Sequence, residues 1–150
     1  MRKWLWRDGW IGWLVRKIYR TRWKIIDHIP DDEKLWRAVH KKDQLYENGD
    51  IKPAFFRDKN GLSCDLARFS TVERSRCGYN PPPWPDAGGL VEIRVMHPRK
   101  AGSDVRHKPI SGEYPNYSHS EFTEHLTTPQ AKEICGQAKF RVKPRRAELP

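Results

Sequence analysis

The hydrophobic positions between residues 10 and 26 recur every three or four residues, as they do on one face of a helix. The apolar side chains that follow this rhythm are Ile11, Leu14, Val15, Ile18 and Ile25. Pro30 ends the segment, because the residue before a proline is pushed out of helical geometry. The pattern predicts an amphipathic helix near the N-terminus.

Strand-like alternation of apolar and polar residues appears later in the chain. It predicts strands at residues 35–40, 90–96 and 140–142. Asn60-Gly61 favours a tight turn, since both residues tolerate a positive φ. This turn predicts a hairpin that joins a strand over residues 53–56 to a second strand over residues 62–66.

Two later segments carry helix signals, and a long polar stretch separates them. Ser70 and Glu73 have the spacing of a capping box, and Thr128 followed by Pro129 predicts a helix start. Residues 97–120 are predicted to form a loop. Together these elements predict an α+β fold, with a small, mainly antiparallel sheet, two or three helices and a basic, tryptophan-rich N-terminal helix. We divide the chain into an arm (1–29), a globular domain (30–142) and a basic tail (143–150).

The charge is concentrated at the two ends of the chain. The 150 residues include 29 basic and 19 acidic side chains, for a net charge of +10. Residues 1–30 hold eight basic and two acidic side chains, and residues 140–150 hold four and one. The segment between them is nearly neutral. Such a distribution favours nucleic acid, an anionic membrane surface or an acidic protein as the partner.

Five of the seven tryptophans lie in the basic arm. Cationic side chains can neutralise phosphates while tryptophan rings stack on bases, a combination suited to RNA or single-stranded DNA. We therefore predict a non-catalytic nucleic-acid-binding or accessory subunit of a larger complex, located in the cytoplasm. Docking to an acidic protein remains open, and a membrane surface is a third alternative. The predicted contact residues are Trp10, Trp13, Arg16, Lys17, Arg20, Trp23, Lys24, Arg145 and Arg146.

An alternative hypothesis is a small metal-independent enzyme that acts on RNA or a nucleotide. His107 and His119 lie in polar sequence and could serve as general acid and base, while Arg37 would bind a phosphate. The competing interpretation is that both histidines have no catalytic role and are surface or hydrogen-bonding side chains. Their spacing in the sequence does not determine whether the two rings meet.

Nothing in the sequence predicts a metal or a cofactor. Cys64, Cys77 and Cys135 are widely spaced and form no CxxC pair, and the histidines lack the spacing of structural zinc sites. Phosphate-binding glycine-rich motifs and the GxSxG motif of serine hydrolases are absent from the sequence. An odd number of cysteines favours reduced thiols and a cytoplasmic location.

Short motifs between residues 34 and 125 resemble those of a family of small uncharacterised bacterial proteins. The matching segments are Leu35–His40, Ala54–Phe56, Leu62–Asp65, His107–Ile110 and Asn116–His119. The resemblance implies a bacterial origin and no particular activity. Leu35-Trp36-Arg37 is also similar to the first strand of ADP-ribosyltransferase-like folds, which implies a dinucleotide-binding place for Arg37. Glu121 and Glu124 depart from the ExE spacing of those enzymes.

Overall fold

Two long strands form the centre of a six-stranded sheet. In the computed structural model, which describes residues 24–58, 61–77, 87–111 and 115–150, β1 (Lys34–Val39) pairs along its length with β3 (Gly89–Arg94). The other strands are β2 (Ser63–Leu66), β4 (Val105–His107), β5 (His119–Phe122) and β6 (Lys139–Val142). The order across the sheet is β4-β5-β2-β1-β3-β6, and each neighbouring pair is antiparallel.

The main hydrophobic core lies on one face of this sheet. Side chains of successive strand residues point to opposite faces, and register pairs Leu35 with both Leu66 and Ile93. These three side chains are at most 3% exposed. The opposite face carries Trp36 in the centre and, further along the sheet, a group of polar side chains on β2 and β5.

Three helices accompany the sheet in the part of the chain that is described. They are α1 (Val72–Arg76), α2 (Met96–Lys100) and α3 (Thr128–Gln137). Helix α1 packs against β1 and β3, whereas α2 contacts β3 and α3. The α+β prediction, with a mainly antiparallel sheet and two or three helices, is confirmed for the described residues. The predicted N-terminal helix falls almost entirely on residues 1–23, outside them.

The capping signals identified two of these helices nearly to the residue. At α3 the N-cap is Thr127, one residue before the predicted position, and its backbone N–H donates to Gln130 Oε1 at 2.8 Å. At α1 the N-cap is Thr71, whose hydroxyl accepts from the N–H of Arg74 at 3.2 Å. Each cap satisfies a backbone group that has no partner within its helix.

The hairpin predicted from Asn60-Gly61 is wrong. Pro53–Phe56 forms a 3-10 helix, and β2 pairs with β1 and β5 instead. Proline lacks an N–H and has a preset φ, so it suits a first helical turn better than a strand. Phe55 and Phe56 are both buried, whereas consecutive strand residues would point to opposite faces.

The loop predicted over residues 97–120 is also wrong. This stretch contains most of α2, the whole of β4 and the start of β5. Strand β4 is only three residues long, so it offers too little alternation to be recognised from the sequence. Its pairing with β5 supplies the hydrogen bonds that define it as a strand.

The described portions of both chain ends are attached to the domain. Ile29 is 2% exposed, and Leu149 is 5% exposed. The backbone N–H of Lys42 donates to the carbonyl oxygen of Pro150 at 2.8 Å. Residues 24–30 and 143–150 therefore share in the packing of the domain.

Candidate functional site

A strongly basic surface follows β6 along one edge of the sheet. We call it the basic edge, and its members are Lys139, Arg141, Lys143, Arg145 and Arg146. Between Glu133 and Glu148 the sequence contains no acidic residue. The first four cations are exposed, while Phe140 and Val142 between them are half-buried. The basic edge thus directs cations to solvent and apolar side chains to the sheet.

The backbone beneath the basic edge is fixed by several contacts. Strand β6 pairs with β3, with a shift of register between Leu90 and Val91. Beyond the strand, the N–H of Arg145 donates to the carbonyl of Ala87 at 2.9 Å, and Leu149 is buried. Backbone held in this way presents its side chains to a ligand with less loss of chain entropy on binding.

Two arginines of the basic edge differ in their surroundings. The guanidinium of Arg145 lies 3.4 Å from the Glu148 carboxylate, an exposed pair that contributes little to stability. Among the described residues, Nε of Arg146 is buried without a hydrogen-bond partner. Of the two predicted contact residues at the C-terminus, Arg145 is therefore exposed but paired with an acid, and Arg146 is only partly exposed.

Most of the arm residues predicted to contact nucleic acid lie outside the described residues: Trp10, Trp13, Arg16, Lys17, Arg20 and Trp23. The structure places only Lys24 among them. Its side chain is exposed, and its carbonyl accepts from the hydroxyl of Tyr117 at 2.7 Å. The role predicted for the arm stays a prediction.

His107 is a buried side chain that joins two segments of the fold. It is 2% exposed, and its Nδ1 accepts from the N–H of Ile26 at 3.1 Å. Nε2 therefore carries the proton in the neutral ring and donates to the carbonyl of Tyr117 at 2.6 Å. Phe69 stacks on the imidazole, with 5.8 Å between ring centroids. Both nitrogens are engaged within the protein, so neither is available to a substrate.

His119 makes different contacts, near the surface. Its Nδ1 donates to the carbonyl of Lys108 at 2.7 Å, and its Nε2 lies 3.1 Å from Ser63 Oγ. Ser63 is exposed, whereas His119 is only 7% exposed. The carboxylate of Glu121 lies 3.8 Å from Nε2. Unlike His107, His119 adjoins a hydroxyl that solvent can reach.

The two histidines lie on opposite faces of the sheet. His107 pairs in register with Ser120, the residue that follows His119 on β5. Since alternate residues point to opposite faces, His119 points away from His107. The structure therefore does not bring the two rings together as the acid–base pair that the enzyme hypothesis requires.

Arg37 interacts mainly with neighbouring backbone. Its Nε donates to the carbonyl of Phe55 at 3.1 Å, and Nη1 donates to the carbonyl of Ser63 at 2.7 Å. Nη2 lies 4.0 Å from the carboxylate of Asp58, and the guanidinium sits over the Phe55 ring at 5.0 Å. These contacts orient the strands around Ser63 and leave the Arg37 side chain 18% exposed, so the geometry favours a structural role over phosphate binding.

A buried polar network beside His119 was not anticipated from the sequence. The carboxylate of Asp65 accepts from Asn116 Nδ2 at 2.8 Å and from Ser118 Oγ at 3.1 Å. All three residues are buried. Their separation of about fifty residues hides the contact in the sequence, and only the pairing of β2 with β5 creates it. The network anchors the segment before β5 to the sheet.

The thiols and acidic groups give no sign of a metal site. Within the described ranges, no group of three or more His, Cys, Asp and Glu side chains has metal-binding geometry. The three cysteines are free. Burial raises the pKa of the Cys64 thiol to about 12 and that of Cys135 to about 11, so neither is a ready thiolate ligand at neutral pH.

Comparison with family models, curated proteins and solved structures gives no match for this chain. Among the described residues, no helix has the length and apolar character needed to cross a bilayer.

Proposed function

We propose that the protein binds RNA or single-stranded DNA as a non-catalytic subunit of a larger bacterial complex in the cytoplasm. The observation that carries this proposal is the basic edge, where five cations occur without an acidic neighbour in the sequence between Glu133 and Glu148. Phosphates are the natural ligands of such a surface, because each contact releases condensed counterions. The free state of all three cysteines is the state that a reducing cytoplasm maintains.

Edge strands carry charge for another reason as well. Charged side chains prevent an exposed strand from pairing with another molecule. Lysine is common in this role, and Lys139 and Arg141 on β6 are placed to fill it. The other three cations, Lys143, Arg145 and Arg146, lie beyond the strand. Edge protection does not account for those three, whereas a polyanionic ligand accounts for all five.

The proposal is tested by measuring the affinity of the full chain for labelled single-stranded RNA and DNA over a salt series. The test variant is Arg141→Gln/Lys143→Gln. The control is Arg74→Gln/Lys132→Gln, which removes the same types of charge from exposed positions on α1 and α3. If both test residues contact phosphates, the log–log slope should fall by about 1.4, since each contact contributes about 0.7 on single strands. The control should keep the wild-type slope.

A second double variant, Arg16→Gln/Lys17→Gln, tests the arm without shortening the chain. Removal of residues 1–29 would also remove the buried Ile29, and a loss of binding would then be confused with a loss of stability. Equal slopes for the wild type and the Arg141→Gln/Lys143→Gln variant would refute a role for the basic edge. Binding to acidic protein or anionic vesicles, with none to nucleic acid, would overturn the proposed ligand.

A further inference from the structure

Ser63 and His119 form a hydrogen-bonded pair on the sheet face opposite the core. Register places Ser63 opposite Glu121 and Asp65 opposite His119, so these four side chains share that face. Ser63 Oγ lies 3.1 Å from His119 Nε2. This distance is within the range at which an imidazole can take a proton from a hydroxyl.

The protonation pattern of the imidazole suits a general base. A carbonyl oxygen can only accept a hydrogen bond, so the 2.7 Å contact with Lys108 O requires a proton on Nδ1. In the neutral ring Nε2 then has a free lone pair, which faces the hydroxyl of Ser63. Burial of His119 keeps the ring in this orientation, while the exposed hydroxyl is open to solvent.

A carboxylate lies where positive charge would form. Glu121 Oε1 is 3.8 Å from Nε2 and would stabilise an imidazolium there. Lys108 Nζ donates to the other carboxylate oxygen at 2.8 Å and holds it in place. Arg37, through its bond to the Ser63 carbonyl, positions the backbone of the hydroxyl-bearing residue.

We propose that Ser63 is an activated nucleophile that accepts an acyl group from a small activated ester, with His119 as its general base. Ser63 Oγ attacks the ester carbonyl, and its proton passes to His119 Nε2. A bond forms between Oγ and the acyl carbon, and the bond from that carbon to the leaving oxygen breaks. The proton then moves from Nε2 to the leaving oxygen, which departs as an alcohol or phenol and leaves an acylated Ser63.

The probe is p-nitrophenyl acetate, with the full chain at mildly alkaline pH. Release of p-nitrophenol is followed by absorbance, and the acetylated residue is identified by peptide mass spectrometry. The expected result is acetylation at Ser63 that disappears in Ser63→Ala. The matched control Ser111→Ala changes another exposed serine and should keep the wild-type rate.

His119→Gln should slow acylation of Ser63 by about 100-fold or more, the usual effect of losing a general base. Because His119 is buried, circular dichroism must show that this variant is folded. Glu121→Gln provides an independent variant at a more exposed position, and it should reduce the rate by a smaller factor. Acetylation confined to lysines, or a rate that is the same in Ser63→Ala as in the wild type, would overturn the proposal.

Discussion

Gly89, the first residue of β3, lies against the end of β6 and the residues that follow it. A Cβ atom added at Gly89 would lie 2.7 Å from Pro144 Cδ and 2.8 Å from the carbonyl oxygen of Val142. Non-bonded carbon atoms are normally about 3.5–4.0 Å apart, so Gly89→Ala requires a displacement of roughly 1 Å. One obstacle is backbone and the other is a proline ring, so no change of rotamer relieves the contact.

The expected cost follows from overpacking. Forcing an extra methyl group into a close-packed contact costs about 1–3 kcal/mol. For a chain of this size, each 1 kcal/mol lowers the melting temperature by roughly 2–4 °C. Gly89→Ala should therefore lower the Tm by about 2–12 °C. Since the displaced segment carries the basic edge, the affinity for nucleic acid should fall as well.

The matched control applies the same chemical change where the structure has room. A Cβ at Gly136, inside α3, would meet nothing within 4 Å. Alanine in a helix interior is more stable than glycine by about 0.5–1 kcal/mol, so Gly136→Ala should raise the Tm. Thermal unfolding followed by circular dichroism compares the two. A Tm for Gly89→Ala at or above that of the wild type would refute a close contact of residue 89 with Val142 and Pro144.

Three further predictions concern buried or partly buried groups. His107→Phe keeps an aromatic ring but leaves two backbone hydrogen-bonding groups without their partner, so urea unfolding should show a loss of about 2–4 kcal/mol; an unchanged midpoint would contradict this. Burial, and secondarily Lys100, lower the pKa of His97 below its usual 6.5. The neutral imidazole therefore favours the folded state, and the stability that is present above pH 6.5 is lost as the pH falls through the folded pKa. His97→Gln should flatten the decline of the unfolding free energy between about pH 7.5 and 5, and an unaltered decline would refute the assignment. In native protein at pH 8, a thiol reagent should label the exposed Cys77 and spare Cys64, whose pKa is raised to about 12; mass spectrometry checks the order, and early labelling of Cys64 would contradict it.

Local sequence signals identified the elements that are stabilised by local interactions. The Thr-Pro pair located α3, because its capping contacts involve residues three apart. Alternation located β1 and β3, since both are long enough to show several apolar positions on one face. The 3-10 helix at Pro53–Phe56 was missed because a pair of phenylalanines suits a strand as well as a short helix by composition. Only the burial of both phenylalanine side chains distinguishes the 3-10 helix from a strand.

The candidate site residues depend even more on contacts between distant parts of the chain, which local sequence patterns do not predict. His107 and His119 were singled out because of their residue type and polar surroundings, and both prove to lie on strands. Their separation onto opposite faces depends on the register of β4 against β5, which no local pattern specifies. The partner of His119 is Ser63, 56 residues away. Sequence reasoning could name the imidazole but not the hydroxyl it contacts.

Pairing across the sheet also determines how Lys24 and the basic edge are arranged. The carbonyl of Lys24 accepts from the hydroxyl of Tyr117, and both Tyr117 and Ile26 contact His107 on β4. Lys24 therefore lies beside β4, whereas the basic edge lies on β6, at the other side of the sheet. Five strand spacings separate these edges, a width of about 24 Å at roughly 4.8 Å for each spacing. A ligand that contacts both must extend across the sheet. Within the described residues, Lys24 and the basic edge therefore lie apart, and under the proposed function their contributions to nucleic-acid binding should be close to additive.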